Sequence, residues 1–323
     1  MVVAWTPIKG KLKKSSTLVS IKTAIWTTSR RIRRGCDGRI IEEFPLLVPA
    51  SAGSYKKRAQ LAIKATNQIF PLIVDLTSLN GWPTPVPVAI ETLVDTEDKR
   101  IAAAQLKNLF DYYRSDKAAQ HYHLLYGSIL ADPTSVTDLL EIGIGTNNRD
   151  VVSNMRRDYS PGASLRAFRT FLPHATVCGA DIDHRILFEE ERIRTFVVDQ
   201  TERRSWDLLS AAIDHDFDLI IDDGLHSPNA NIATLLFGLG RLRIGGWLVV
   251  EDIPAVALPL WQVISTLLPE QYESRIVAAP VGFLFLVRRS AERAFRRHQG
   301  QHQDVSGQSS HVRGEALSVP RWP

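Results

Sequence analysis

The sequence has only two cysteines, Cys36 and Cys178, and they lie far apart in the chain. So few thiols exclude a disulfide framework and every cysteine-based zinc spacing, and they favour a reducing, cytoplasmic setting. Cys178 falls inside an apolar, strand-like run, where a small buried thiol behaves as a hydrophobe. Membrane-length apolar runs are missing as well. The N-terminal candidate, Thr17–Trp26, is interrupted by Lys22 and no small-residue cleavage site follows it, so neither a signal peptide nor a spanning helix is expected.

Acids are absent from residues 1–36, which hold nine Lys/Arg, and scarce in residues 288–323, which hold seven Arg against three acids. The remaining residues, 37–287, carry 23 basic and 32 acidic side chains, a net charge of −9. The overall charge of +4 therefore hides an acidic body between basic ends. A nucleic-acid-binding body would carry its basic face on the fold itself, so no nucleic-acid partner is expected. Residues 1–36 read as a basic, flexible leader whose partly amphipathic character also suits weak contact with an anionic membrane surface. Residues 290–323, rich in Gln, His, Ser, Gly and Arg, read as a disordered tail in which His298, His302 and His311 are solvated.

Between these ends the pattern is informative. Residues 37–110 read as an N-terminal accessory region: a helical spacing over Ser54–Phe70, a strand-like Phe70–Leu76, then the helix-hostile connector Asn80-Gly-Trp-Pro-Thr-Pro-Val-Pro. A helix is expected over Asp95–Tyr113, started near Thr96 and Asp98, with Ile101, Ala104, Leu106, Leu109 and Phe110 on one face. His121, Tyr122, His123 and Tyr126 follow, at helical spacing, where the wall of a substrate site would lie.

Residues 111–289 read as one domain, and from residue 137 onward its rhythm is strand–helix–strand. Strands are expected at 137–144, 175–181, 193–199, 217–222, 245–251, 272–278 and 281–288, with helices at Ser164–Phe171, Thr201–Ile213, Asn229–Leu242 and Val256–Leu267. That alternation specifies an α/β fold: a doubly wound, Rossmann-like, mostly parallel seven-stranded sheet with ligands at the carboxyl ends of its strands. The last two strands, joined at Ala278-Ala-Pro-Val-Gly282, are expected to form an antiparallel edge hairpin.

Polar residues recur at those carboxyl ends. The first strand closes on Glu141, Gly143 and Gly145, where glycine lets the backbone approach a ligand. The second ends at Asp181, suited to a ribose diol. The third ends at Asp199 and Gln200, suited to an adenine edge. The fourth brings Asp222, Asp223 and His226, and the fifth Glu251 and Asp252. One acid at a strand end caps the next helix; five in succession at one rim point to a ligand. A dinucleotide fingerprint would need a third glycine at a helix start, but Gly145 runs into Thr146-Asn147-Asn148. Glu141 is also a poor neighbour for a pyrophosphate and a good one for a ligand with sulfonium and ammonium charges. The residues therefore favour S-adenosylmethionine over NAD(P). The interval from Asn147 to Gly162 reads as an excursion closing over the cofactor, and Ser164, with the amides at its helix start, is placed to receive the methionine carboxylate.

The runs Glu141-x-Gly-x-Gly, Pro161-Gly-Ala-Ser, Gly179-Ala-Asp181, Val198-Asp199-Gln200, Ile220-Ile-Asp-Asp-Gly-Leu-His226 and Gly245-Gly-Trp-Leu-Val-Val-Glu-Asp252 resemble class I S-adenosylmethionine-dependent methyltransferases. More narrowly, they are similar to the metal-dependent sugar O-methyltransferases of the mycinamicin type, over about residues 110–287; the Asp116-Lys117…His121-Tyr122…Tyr126 stretch also resembles that subgroup. The resemblance implies Asp223 and Asp252 as ligands of a divalent metal, expected to be Mg²⁺, and His226 as the base that deprotonates an acceptor hydroxyl. It implies a sugar hydroxyl of a glycan or glycosylated small molecule as acceptor. Two other readings stay open: an NAD(P)-dependent or hydroxylase-like enzyme on the same fold, and a non-catalytic adenosyl-ligand binding protein that recruits partners through its basic ends. Neither the acceptor nor assembly into a homo-oligomer is set by the sequence.

Overall fold

The alternating strands and helices assemble into one sheet in a computed structural model that describes residues 54–290, apart from 83, 156 and 157, together with 39 and 41. In chain order the elements begin with α1 (Tyr55–Leu79), β1 (Val88–Ala89), α2 (Glu97–Tyr113), α3 (Tyr122–Ile129), β2 (Asp138–Ile142), α4 (Ala163–Phe171) and β3 (Thr176–Asp181). Next come β4 (Glu189–Glu190), β5 (Ile193–Val197), α5 (Arg203–Ala212), β6 (Phe217–Asp222) and α6 (Pro228–Leu239). The chain then runs through β7 (Leu242–Ile253), α7 (Leu258–Leu267), β8 (Tyr272–Ala279) and β9 (Gly282–Arg289). The basic leader, Cys36 and the tail histidines lie outside the described residues. Among the described residues no helix is long and apolar enough to cross a membrane.

The strand order is β1-β8-β9-β7-β6-β2-β3-β5-β4, with β2 parallel to both β3 and β6. Chain direction across the sheet reverses next to β2, so the carboxyl ends of β2 and β6 open the crevice where doubly wound sheets hold ligands. Successive residues of β2 face opposite ways. Leu139 joins a core with Phe110, Tyr126, Phe168 and Leu219, while Leu140 and Ile142 join another with Trp206, Ile220, Leu235 and Leu248. Both faces of the strand are covered, which is why its apolar run is continuous.

Some expectations need correction. The sheet has nine strands rather than seven, because the two-residue strands β1 and β4 close its edges; edge strands so short offer little to a stray pairing partner. The β8–β9 hairpin forms, but β9 is inserted between β7 and β8, antiparallel to each, and β8 carries β1 in parallel on its far side. The reason is in β9 itself: Leu284, Phe285, Leu286 and Val287 are all buried, a run too apolar for an edge. Finally, Phe70–Leu76 is helical, not a strand. The inward residues Ala59, Ala62, Phe70, Ile73, Val74 and Thr77 keep a 3.6-residue period through it, and α1 packs on α7. That packing outweighs the hydrogen bond Pro71 removes inside the helix. The helix stops at Leu79, where the proline-rich connector begins, and Gly81 takes φ +70°.

In α2 the Thr96 hydroxyl caps Lys99 N–H at 3.4 Å. Its buried face is Ala102, Ala103, Leu106 and Phe110, so Ile101 and Ala104, expected inward, are exposed, Ile101 by 49%.

Candidate active site

A cavity of about 750 Å³ opens at the carboxyl ends of β2, β3, β5, β6 and β7. Its floor is the glycine turn. Gly143 and Gly145 take φ of +84° and +79°, and Gly143 N–H donates to Ala180 O at 2.7 Å. A Cβ on Gly143 would lie 2.2 Å from the Asp223 carbonyl oxygen, so its lack of a side chain is needed by the neighbouring loop. The excursion after Gly145 does border the cavity, through Asp150–Met155. It is tied down by Ser153, whose hydroxyl donates to Gly224 O at 2.9 Å, and by Asp150, paired twice with Arg185 at 3.1 Å.

The acids nearest the glycine turn are partly committed to holding it. Asp181 accepts the Ile144 and Asp183 amides at 3.0 and 2.9 Å while still lining the cavity, and burial raises its pKa. Asp183, which the sequence reading did not single out, accepts from Thr146 and Asn148 at 2.7 Å each and from Arg185 at 2.6 Å. Arg185 first, then Asn148 and Thr146, hold its carboxyl well below the usual range. Asp199 lines the cavity and accepts from the Thr201 amide and hydroxyl at 2.9 and 2.7 Å.

Other expected cofactor residues are hydrogen-bonded within the protein. Gln200 lines the cavity, gives its amide protons to Asp222 and Thr234 at 2.8 Å each and accepts the Leu225 N–H at 2.8 Å. Asp222 is 0% exposed and does not line the cavity; it accepts from Gln200, Asn231 and Gly224. Glu141 is equally buried behind the wall and accepts the hydroxyl of Ser164, which lines the cavity, at 2.6 Å. Asp222 and Glu141 thus brace the site instead of touching what fills it.

At the opposite rim Asp223, His226 and Asp252 come together. His226 Nε2 lies 3.9 Å from Asp223 Oδ1 and 3.8 Å from Asp252 Oδ2, and one ligand atom from each residue falls within 4.8 Å of the others. His226 Nδ1 is buried without a hydrogen-bond partner. His226 and Asp252 both hold left-handed backbones, φ +54° and +55°, which a side chain adopts only under constraint. At Asp252 the constraint is visible: the β7–β9 register shifts between Val250 and Ile253, a bulge that turns the acid toward the cavity. Two carboxylates and an imidazole at this spacing fit one divalent cation, oxygen donors suiting Mg²⁺ and the added nitrogen suiting transition metals.

Behind this trio sits a buried network that was only partly readable. Lys117, 1% exposed, reaches Glu251 at 2.5 Å, Asp223 at 2.7 Å and Glu141 at 3.1 Å. Burial alone would lower the Lys117 pKa, but those three carboxylates outweigh it and hold the ammonium well above its ordinary range. From α3, Tyr122 donates to Asp252 and Tyr126 to Glu251. Burial, followed by the Glu251 carboxylate, raises both phenols and keeps them protonated as donors. Their i, i+4 spacing was the signal in the sequence; Lys117 stood out only through the resemblance.

His123, on the same helix, does not join the site. It is 8% exposed, its Nδ1 has no partner, and burial, then His121 and Lys107, push its pKa down to about 4 from 6.5. The folded chain therefore binds fewer protons there than the unfolded chain between those values, and stability falls as pH drops from about 6.5 to about 4, by up to about 3 kcal/mol at 1.36 kcal/mol per unit. Urea denaturation of His123→Gln against wild type should show a shallower loss in the variant over that window. Parallel pH curves would refute the assignment.

The doubly wound sheet, its glycine turn and the acid-rimmed cavity give the chain a Rossmann-like α/β architecture. Comparison with known proteins narrows this. No family model matches the chain. It is 33% identical, over 56% of its own length and 46% of the relative's, to the 8-demethyl-8-α-L-rhamnosyl tetracenomycin-C 2′-O-methyltransferase of Streptomyces olivaceus. It is 34% identical, over 36% of its length and 27% of the relative's, to the mycinamicin VI 2″-O-methyltransferase of Micromonospora griseorubida. A solved structure of MycE, a methyltransferase of mycinamycin biosynthesis in complex with Mg, SAH and mycinamycin VI, aligns with a TM-score of 0.45 and 23% identity, over 58% of this chain and 53% of that one. The chain spans less than half the length of the curated relatives it matches. It is similar to these sugar O-methyltransferases, the subgroup its motifs resemble.

Proposed function

We propose that the chain is an S-adenosylmethionine-dependent O-methyltransferase that uses a divalent metal to methylate a sugar hydroxyl of a glycosylated small molecule. The observation that carries this is the contact between the two halves of the site: the glycine turn lies directly against the Asp223 loop, so a cofactor on one would present its methyl group to an acceptor at the other. Asp223 and Asp252 would hold the metal, with His226 beside it. The ion would supply charge that lowers the pKa of a sugar hydroxyl. His226 would take the hydroxyl proton as the oxygen bonded to the methyl carbon, the sulfur–methyl electron pair returning to sulfur to leave S-adenosylhomocysteine. The acidic wall suits the cationic sulfonium of the substrate better than the neutral thioether of the product. Residues 111–289 would form this catalytic unit and residues 37–110 its accessory region.

Calorimetric titration of the full chain with S-adenosylhomocysteine, NAD and NADP tests the cofactor, and labelled methyl transfer to rhamnosylated and other deoxysugar-bearing polyketides tests the acceptor. Binding of S-adenosylhomocysteine alone is expected, with transfer lost on chelation and restored by Mg²⁺. Binding of NAD in its place, or cofactor binding with no turnover on any glycosylated acceptor, would overturn the proposal.

A further inference from the structure

Three strand-end acids converge on one side chain that the methyl-transfer chemistry leaves unused. Lys117 lies in the short turn 116–118, capped by the Ser115 hydroxyl. An ammonium has three protons to give, and its nitrogen meets three carboxylates, those of Glu251, Asp223 and Glu141. Two of the three acids are fixed independently of it. Glu251 is 0% exposed in its side chain and also held by Tyr126; Glu141 is 0% exposed and also held by Ser164. Asp223 differs. Its side chain is 22% exposed, its Oδ2 rests on Lys117, and its Oδ1 faces His226.

We propose that Lys117 is a positioning residue: anchored on Glu251 and Glu141, it pins Asp223 through Oδ2 so that Oδ1 is presented to a divalent cation shared with Asp252. This rests on reading Asp223, His226 and Asp252 as a cation site. The competing role is that Lys117 merely neutralises buried Glu251. The geometry favours positioning, because a counter-ion for Glu251 alone has no need to reach the neighbouring strand end.

Lys117→Met by itself strips from these buried acids the cation they share and is expected to compromise folding. The informative variant is Lys117→Met with Glu251→Gln, which removes one charge of each sign. Mn²⁺ and S-adenosylhomocysteine are titrated separately into the full chain by calorimetry, with circular dichroism to verify folding and Glu251→Gln alone as control. Mn²⁺ affinity is expected to fall by about 10–100-fold in the double variant, as when other outer partners of metal ligands are lost, while affinity for S-adenosylhomocysteine stays unchanged. Lys117→Arg provides a second test that keeps the charge but not the ammonium geometry; it too should weaken Mn²⁺. Wild-type Mn²⁺ affinity in either variant would reduce Lys117 to a counter-ion and overturn the proposal. If the wild-type chain takes up no Mn²⁺, and Asp223→Asn changes nothing, the cation site itself falls and the positioning role with it.

Discussion

Replacing His226 by glycine is expected to slow methyl transfer by about 10²–10⁴-fold, the usual worth of a positioned general base, and at the same time to raise the melting temperature. Two features of the residue make it costly to the fold. Its φ of +54° is left-handed, a conformation that costs a side-chain-bearing residue about 1–2 kcal/mol and glycine nothing. Its Nδ1 is buried without a partner, and an unsatisfied polar group of that kind costs about 1–3 kcal/mol. Glycine removes both penalties and returns about 0.5–1 kcal/mol of them as backbone entropy. The net gain is then about 1 kcal/mol or more, or roughly 2–4 °C for a chain of this size. His226→Ala removes the imidazole but keeps the strained backbone, so it should be as inactive as the glycine variant and melt below it. Calorimetric melting of the two variants, run beside the turnover assay, separates the effects. Equal melting temperatures would show that no strain is stored at His226, and substantial turnover in either variant would show that it is not the base.

The frame of this site was legible because it obeys period and polarity. Leu139, Leu140 and Ile142 read as a doubly covered strand and are one, and Asp223, His226 and Asp252, which the family resemblance picked out among the strand-end polar residues, do come together in the fold. The failures have physical causes that a single sequence does not display. Asp222 looks like a ligand contact because it stands at a strand end, yet it lies behind the cavity and accepts from Gln200; pairing between residues twenty-two positions apart carries no local signature. Phe70–Leu76 has strand composition, and only the continuing inward stripe on α1, which depends on α7 far along the chain, makes it helical. Glu251 and Asp252 should face opposite sides of β7 by strict alternation, but the bulge brings Glu251 to Lys117 and Asp252 to Tyr122, both on the α3 side. Lys117, named only within the stretch that resembles the family, was given no role, and its burial becomes evident only when three strand ends meet around it.

Gly143→Ala is expected to remove cofactor and metal binding together, although only one methyl group is added. The position has φ +84°, and the new Cβ would stand 2.2 Å from the Asp223 carbonyl oxygen and 2.5 Å from Gly224 Cα, both backbone atoms with no rotamer to escape into. Gly245 supplies the control. Its φ is +85°, but a Cβ there meets nothing within 4 Å, so Gly245→Ala measures conformational strain alone. That variant should lose about 1–2 kcal/mol of stability and keep both ligands. Gly143→Ala should lose a further 1–3 kcal/mol, roughly the cost of overpacking, and should push the Asp223 loop away from Lys117 and Asp252. Thermal melts give the first difference, and separate titrations with S-adenosylhomocysteine and Mn²⁺ give the second. If Gly143→Ala weakened the nucleoside ligand and left Mn²⁺ unaffected, the glycine would serve ligand approach only, as a glycine in a nucleotide turn ordinarily does. Loss of both would show that the turn under the cofactor and the loop carrying the metal-binding acid are a single packed unit, with Gly143 small because the protein's own backbone occupies the space where its side chain would be.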